Sequence, residues 1–228
     1  MFSVCRFDTA NDELRLVWHG RGRGRGRGNA GGALRSLAAL EAELGKEARR
    51  VRFAMNAGMY DEAGAPIGLY VERGKELRKL NLNSGPGNFH LKPNGVFAAD
   101  ASGRLSVTAS SHFRGRVRAP QWATQSGPML VIDGKIHPKF EPNGRSRYIR
   151  NGVGVRDAST ALFVISEEPV SFGRFARLFR DSLGCANALY FDGNVSSLWD
   201  PESGRRDAAS DLGPMVVVLA KRATPAQS

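Results

Sequence analysis

At 228 residues, with 41% hydrophobic and 24% charged side chains, the chain is long enough to bury a core without covalent staples and too apolar throughout to be disordered. Two cysteines exclude a disulfide scaffold, and the longest apolar run, Met215 to Ala220, is far short of the roughly 20 residues a spanning helix needs. The formal charge is +11, but four of those charges sit in the repeat Arg21-Gly22-Arg23-Gly24-Arg25-Gly26-Arg27-Gly28, and without it the excess is an ordinary +7.

In chain order, the alternating segment Phe2 to Asp8 predicts a strand, and Leu14 to Trp18 a second across the polar turn Thr9 to Asp12. The N-terminus lacks the basic start, apolar stretch and cleavage site of a secretory signal, so either the protein stays in the cytoplasm or the chain begins after a removed leader. The Arg-Gly repeat cannot bury apolar surface and reads as a flexible loop. Leu34, Leu37, Ala38, Leu40 and Leu44 stand at helical spacing with Gly45 as a stop, which predicts a first helix. Val51 to Met55 is a strand feeding the loop Asn56-Ala57-Gly58.

Three hairpins follow: Gly68–Glu72 with Glu76–Leu80 around Arg73-Gly74, Val96–Ala99 with Arg104–Thr108 around Asp100 to Gly103, and Met129–Ile132 with Lys135–Ile136 around Asp133-Gly134. Tyr148 to Val155 pairs with Ala161 to Ser166. Ser171 caps a second helix that buries Phe172, Phe175, Ala176, Phe179 and Leu183 and stops at Gly184. Ala188 to Phe191 and Met215 to Leu219 are the last strands. Many short strands, two helices and no strand–helix alternation place the chain in the α+β class, with a mainly antiparallel or mixed sheet, as one domain over residues 1–220 and a polar tail over 221–228.

Several site signals are missing. The chain has no phosphate-binding Gly-rich loop of the Walker or dinucleotide kind. It has no zinc-ligand spacing among His19, His90, His112 and His137, and no Gly-x-Ser-x-Gly elbow. What remains is a set of polar residues beside glycines at strand ends, where loops can line a cleft. They are Asn56-Ala57-Gly58, Asn88 to Gly95, Gln125-Ser126-Gly127-Pro128, Ser146 to Gly154 and Tyr190 to Ser197. Singly, each has an ordinary reading as a turn former or a cap.

Together they resemble the phosphodiester glycosidase family, the group that includes the mannose-6-phosphate uncovering enzyme, and within it a bacterial branch of such domains related to exopolysaccharide biosynthesis proteins. The carriers are Phe53-Ala54-Met55-Asn56-Ala57-Gly58-Met59-Tyr60, Asn88 to Phe97, Gln125 to Leu130, Ile149-Arg150-Asn151-Gly152-Val153-Gly154 and Asn187 to Gly193. The likeness runs from about Phe2 to Leu219. It departs at two places. Where the uncovering-enzyme branch reads Asp-Gly-Gly-Gly-Ser, this chain has Asp192-Gly193-Asn194-Val195-Ser196, and Arg-Thr-Ala-Ile-Gly is replaced by Arg150-Asn151-Gly152-Val153-Gly154.

The resemblance implies cleavage of a sugar from a sugar-1-phosphodiester of a glycan or cell-envelope conjugate. Ordinary glycosidases need two carboxylates. Here the leaving group is a phosphate monoester, whose second pKa near 6 lets it depart as an anion, so one carboxylate with cationic support suffices. Asp192 is the expected nucleophile or general base, Arg150 the phosphate clamp, Lys92 a second positive charge and His90 the general acid, with Glu167 or Glu168 as the alternative second carboxylate. Asn56, Asn94 and Asn151 suit sugar hydroxyls because an amide both donates and accepts. Ser126 and Ser196 can do the same, and Gly193 completes the pocket.

No cofactor and no metal are expected to be required; Asp192 with nearby Asn side chains can be imagined around a hard cation, but no dense acidic loop supports it. A non-catalytic phosphoglycan-binding module is the main alternative. Nucleic-acid binding through the Arg-Gly segment is weaker still, since the segment lacks aromatic residues for base stacking. Cys5 and Cys185 are either a disulfide or two buried thiols. Family members are commonly exported, so the expected compartment is the periplasm or the exterior.

Overall fold

The computed structural model describes residues 1–20, 31–208 and 211–222; the Arg-Gly segment expected to be flexible, and the tail beyond 222, lie outside the described residues. Alternating and continuous apolar runs build three sheets. The first contains β1 (Phe2–Asp8), β9 (Met129–Ile132), β10 (Lys135–Ile136), β11 (Asn151–Val155), β12 (Thr160–Ser166) and β13 (Asn187–Tyr190), in the order β1-β12-β11-β13-β9-β10. The second contains β2 (Asp12–Val17), β3 (Val51–Asn56), β14 (Leu198–Asp200), β15 (Arg205–Arg206) and β16 (Met215–Ala220), in the order β15-β14-β3-β16-β2. The third contains β4 (Tyr70–Glu72), β5 (Lys75–Arg78), β6 (Gly95–Asp100), β7 (Leu105–Ala109) and β8 (Pro120–Ser126), in the order β5-β4-β8-β6-β7. Every ladder among the described residues is antiparallel.

Each sheet turns one face to a shared core. Phe7, Phe163 and Leu189 of the first, Leu16, Phe53 and Val216 of the second, and Tyr70, Phe97 and Val107 of the third meet there. Their neighbours along the strands point outward, and each outer face is covered by a helix. Phe175 and Phe179 of the segment begun by α3 (Phe172–Arg177) cover Val131, Leu162 and Ala188. Leu37 and Leu40 of α1 (Leu37–Leu44) cover Val51, Val217 and Leu219. Phe113, at the start of the short α2 (Phe113–Arg116), covers Val71, Val96 and Ala123. This double covering explains why Thr160–Ser166 is buried at every residue, as a strand packed on both faces must be.

The α+β class is as the sequence indicates. Ser36 caps α1 by accepting from the Ala39 N–H at 3.1 Å, and Ser171 caps α3 by accepting from Arg174 N–H at 3.2 Å. The second helix is shorter than its apolar spacing suggests: α3 ends at Arg177, and Leu178–Ser182 continues as a wider π-helical turn. The short α2 adds a third helix. The tight turns Arg73-Gly74 and Asp133-Gly134 both have two positive φ angles (50° and 77°, 46° and 78°), the geometry that matches strand twist in a two-residue hairpin.

Cys5 and Cys185 are free thiols. Burial pushes Cys5 up to about 12 and Cys185 up to about 11, so neither is a nucleophile near neutral pH. No helix among the described residues is long and apolar enough to cross a membrane.

Candidate functional site

Asn56 ends β3 in the second sheet, and Asn151 begins β11 in the first; both are fully buried. Their amides are reciprocal. Asn151 Nδ2 donates to the Asn56 backbone oxygen and to Asn56 Oδ1, each at 2.9 Å. Asn56 Nδ2 donates to the Asp192 carbonyl at 2.9 Å, and Asn56 Oδ1 accepts from the Ser197 N–H at 2.9 Å. Ser196 Oγ adds bonds to the Ile149 carbonyl at 3.1 Å and to Asn151 Oδ1 at 3.3 Å. Asn56, Asn151, Asp192 and Ser196 therefore come together from segments far apart in the chain. The two asparagines act first on this protein's own backbone: they form the shelf that holds the Asp192–Ser196 turn.

On that turn, Asp192 is half-buried. Its Oδ1 accepts the Asn194 N–H at 3.1 Å, capping the single turn Gly193–Val195. Burial raises its carboxyl above the ordinary carboxylate range, and the Asn194 hydrogen bond opposes the shift only in part. A β-carbon on Gly193 would overlap the Tyr190 hydroxyl, so the absence of a side chain at 193 is what lets Tyr190 lie under the turn.

Arg150 is one residue from the shelf and 1% exposed. Its Nε donates to the Val170 carbonyl at 2.8 Å, and its Nη2 to the Ser146 carbonyl at 3.1 Å. The guanidinium lies 3.6 Å over the Phe172 ring, with Tyr190 at 5.3 Å and Tyr148 at 5.5 Å. No carboxylate pairs with it among the described residues. Burial accordingly lowers its pKa, although an arginine keeps its charge through such a shift. Tyr190 leaves the inner core to face α3. Its phenol is raised mainly by burial; the Arg150 charge opposes this and the Asp192 charge adds to it. Tyr190 thus links the guanidinium to the Asp192 turn.

The segment Asn88–Gly95 supplies a separate group. Lys92, Asn94, Leu82, Pro93 and Ser111 line a cavity of about 430 Å³. Lys92 Nζ reaches the Leu82 carbonyl and Asn94 Oδ1 only at 3.4 Å, and burial lowers its pKa. Asn94 is buried and donates to the Phe89 carbonyl at 2.9 Å. His90 Nδ1 lies 3.0 Å from the Asn83 carbonyl; its hydrogen bonding is to that loop and not to the Asp192 turn. Ser126, at the end of β8, is fully buried, and its Oγ has no partner. By strand alternation it shares a face with Thr124, whose Oγ1 lies against Gly58 in the loop after Asn56.

Glu167, the alternative second carboxylate, is engaged elsewhere. It accepts from Arg205 at 2.8 Å and from Ser3 Oγ at 2.5 Å. Glu168 is exposed and lies 3.9 Å from the N-terminal amine. Among the described residues no cluster of three or more His, Cys, Asp or Glu side chains could hold a metal ion. Sequence reasoning missed Tyr190, Phe172 and Ser146 as parts of the Arg150 surroundings. Tyr190 and Phe172 read there as strand and helix apolar positions, which they also are.

A model of the phosphodiester glycosidase family matches residues 49–211, which contain both groups just described. The chain is 40% identical over 169 residues to the uncharacterized protein YigE of Escherichia coli K12, covering 74% of this chain and 65% of that protein, so it spans about two thirds of that relative's length. In fold it is similar to the catalytic domain of zebrafish N-acetylglucosamine-1-phosphodiester alpha-N-acetylglucosaminidase, a structure auto-inhibited by its pro-peptide. The TM-score is 0.62 at 13% identity, over 97% of this chain and 84% of that one. A hypothetical protein from Synechocystis is also similar, with a TM-score of 0.54 at 13% identity, over 96% of this chain and 59% of the other.

Proposed function

Since the chain belongs to the phosphodiester glycosidase family, we propose that it hydrolyses the bond between an anomeric carbon and the phosphate of a sugar-1-phosphodiester. The observation that carries this reading is Arg150: a guanidinium 1% exposed, fixed by two backbone carbonyls and an aromatic ring, with no carboxylate partner among the described residues. A buried cation left without a counter-charge is costly, and an anionic ligand supplies what the fold omits. The planar fork suits a phosphate.

In this reading the diester phosphate meets Arg150, and its anomeric carbon lies over Asp192. Asp192 takes a proton from water as the water oxygen bonds to the anomeric carbon. The bond from the anomeric carbon to the bridging phosphate oxygen breaks, and its electron pair leaves on that oxygen with the phosphate monoester. The raised Asp192 carboxyl moves toward working pH, where a base is most effective. The shelf of Asn56 and Asn151 holds the turn that carries Asp192, Ser196 on the same turn offers its hydroxyl to the sugar, and Lys92 supplies positive charge in its own cavity. The substrates that fit are glycan phosphodiesters of the cell envelope or of exopolysaccharide, met in the periplasm or outside the cell.

The test is release of reducing sugar from a sugar-1-phosphodiester by the wild type and Asp192→Asn. Turnover by the variant should fall by about 10³-fold, the scale of losing a general base. Its melting temperature at pH 7 should not fall. A carboxylate raised on folding binds more protons folded than unfolded, so stability declines as pH climbs from the ordinary carboxylate range through the raised pKa. The amide removes that decline. Wild-type turnover by Asp192→Asn overturns the assignment.

A further inference from the structure

On the α3 side of Arg150 lies a cavity of about 260 Å³ whose walls include Lys139, Glu141, Arg145, Ser146, Ser171 and Phe172. Two of these also hold the buried guanidinium. Ser146 accepts from Arg150 Nη2 at 3.1 Å, and the Phe172 ring lies 3.6 Å beneath Arg150. Ser146 and Phe172 thus belong both to the Arg150 surroundings and to the cavity wall. Its apolar floor extends from Phe172 to Phe140, whose rings stack at 4.7 Å and 7°. Its side-chain cations are exposed, and neither Lys139 nor Arg145 forms an ion pair among the described residues. Glu141 is the one carboxylate in the wall.

A phosphodiester has two arms. With the sugar arm over Asp192 and the phosphate at Arg150, the second arm extends toward this cavity. Resting on the hydrolase reading above, we propose that the cavity is an aglycone subsite for an acidic group, so that the substrate carries a second phosphate beyond the scissile one, as a repeating glycosyl-phosphate chain does. Two cations against one carboxylate attract that group, and the stacked rings carry the carbon skeleton between the two phosphates.

The experiment compares two diesters of one sugar-1-phosphate, one with glycerol and one with glycerol phosphate as aglycone, on the wild type and on Lys139→Ala/Arg145→Ala. Both positions are exposed, so the fold does not depend on them. The wild type should show a KM at least about 10-fold lower for the glycerol phosphate diester at low salt, a preference that shrinks as salt screens it. The double variant should lose most of that ratio while kcat for the charged diester stays within about twofold. A ratio that survives in the double variant overturns the proposal, as does an equal rise in both KM values. If neither diester is hydrolysed, the hydrolase reading fails, and calorimetric titration of the same two compounds then decides the subsite alone. A 10-fold difference in Kd that the double variant abolishes upholds it; equal Kd values overturn it.

Discussion

Two regions of this molecule treat a guanidinium in opposite ways. At the rim of the second sheet, Arg15 forms a two-point bridge to Glu47, both bonds at 3.0 Å, and a third bond to Glu13 at 2.7 Å. Arg50 and Arg222 converge on the same Glu47 at 2.8 and 3.1 Å. Arg15 first, and Arg222 after it, hold Glu47 down at about 2. Around Arg150, by contrast, the partners are carbonyl oxygens and ring faces. The first arrangement satisfies its own charges and ties β2, the turn Gly45–Arg50 that follows α1, and Arg222 beyond β16 together. The second fixes a charge in position and leaves it unneutralised. The proposal of a phosphate site at Arg150 rests on this difference: one guanidinium is held with its carboxylate partners, the other without any among the described residues.

The contrast can be broken most severely at Arg150. Arg150→Lys keeps the charge and loses the fork, and kcat/KM on a sugar-1-phosphodiester should fall by about 100-fold, the scale of removing an aimed donor; a rate close to wild type would make Arg150 one more structural cation. Gly193→Ala probes the link between the two halves of the site. The new methyl meets the Tyr190 hydroxyl, and overpacking of this kind costs about 1–3 kcal/mol in denaturant titration. Adding Tyr190→Phe should recover part of the loss. A Gly193→Ala protein as stable as wild type would show that the hydroxyl is free to move away.

The smallest effect belongs to the paired region. Glu47→Ala should lower stability by about 1 kcal/mol, the upper end for ion pairs still reached by solvent, and leave turnover unchanged. Because Glu47 is depressed in the folded protein, its contribution is present above the ordinary carboxylate range and is lost as pH falls toward about 2. The acid side of the wild-type stability curve should therefore be steeper than that of Glu47→Ala. Identical curves would remove the network from the account.

Most of the architecture was legible because apolar periodicity and turn chemistry agree along the chain: the Asp133-Gly134 hairpin and the Ser171 cap follow from local rules alone. The strand β8 was not. Its sequence, Pro-Gln-Trp-Ala-Thr-Gln-Ser, buries Thr124, Gln125 and Ser126, and no apolar pattern announces a strand whose buried face is polar. Gln125 succeeds there by bonding outward: its Oε1 accepts from Leu69 and Asn81 N–H groups at 2.8 and 2.9 Å, and its amide donates to the Asn81 carbonyl at 2.7 Å. The candidate site was legible in parts. Asn56, Asn151, Asp192 and Ser196 meet, but that Arg150 is held by Val170 and Ser146 depends on contacts 20 and 4 positions away that a linear pattern does not encode. Lys92 and Asn94 form their own cavity for the same reason.

The reciprocal amides of Asn56 and Asn151 carry one more consequence. Each is anchored in a different sheet, and Asn56 also grips the Asp192 carbonyl. The angle between those two sheets is therefore written directly into the position of the Asp192 turn. A remote change that tilts one sheet against the other by a fraction of an ångström would detune the site while the core still melts as before. The position of that turn is the finer gauge of how the sheets are aligned, and unfolding is the coarser one.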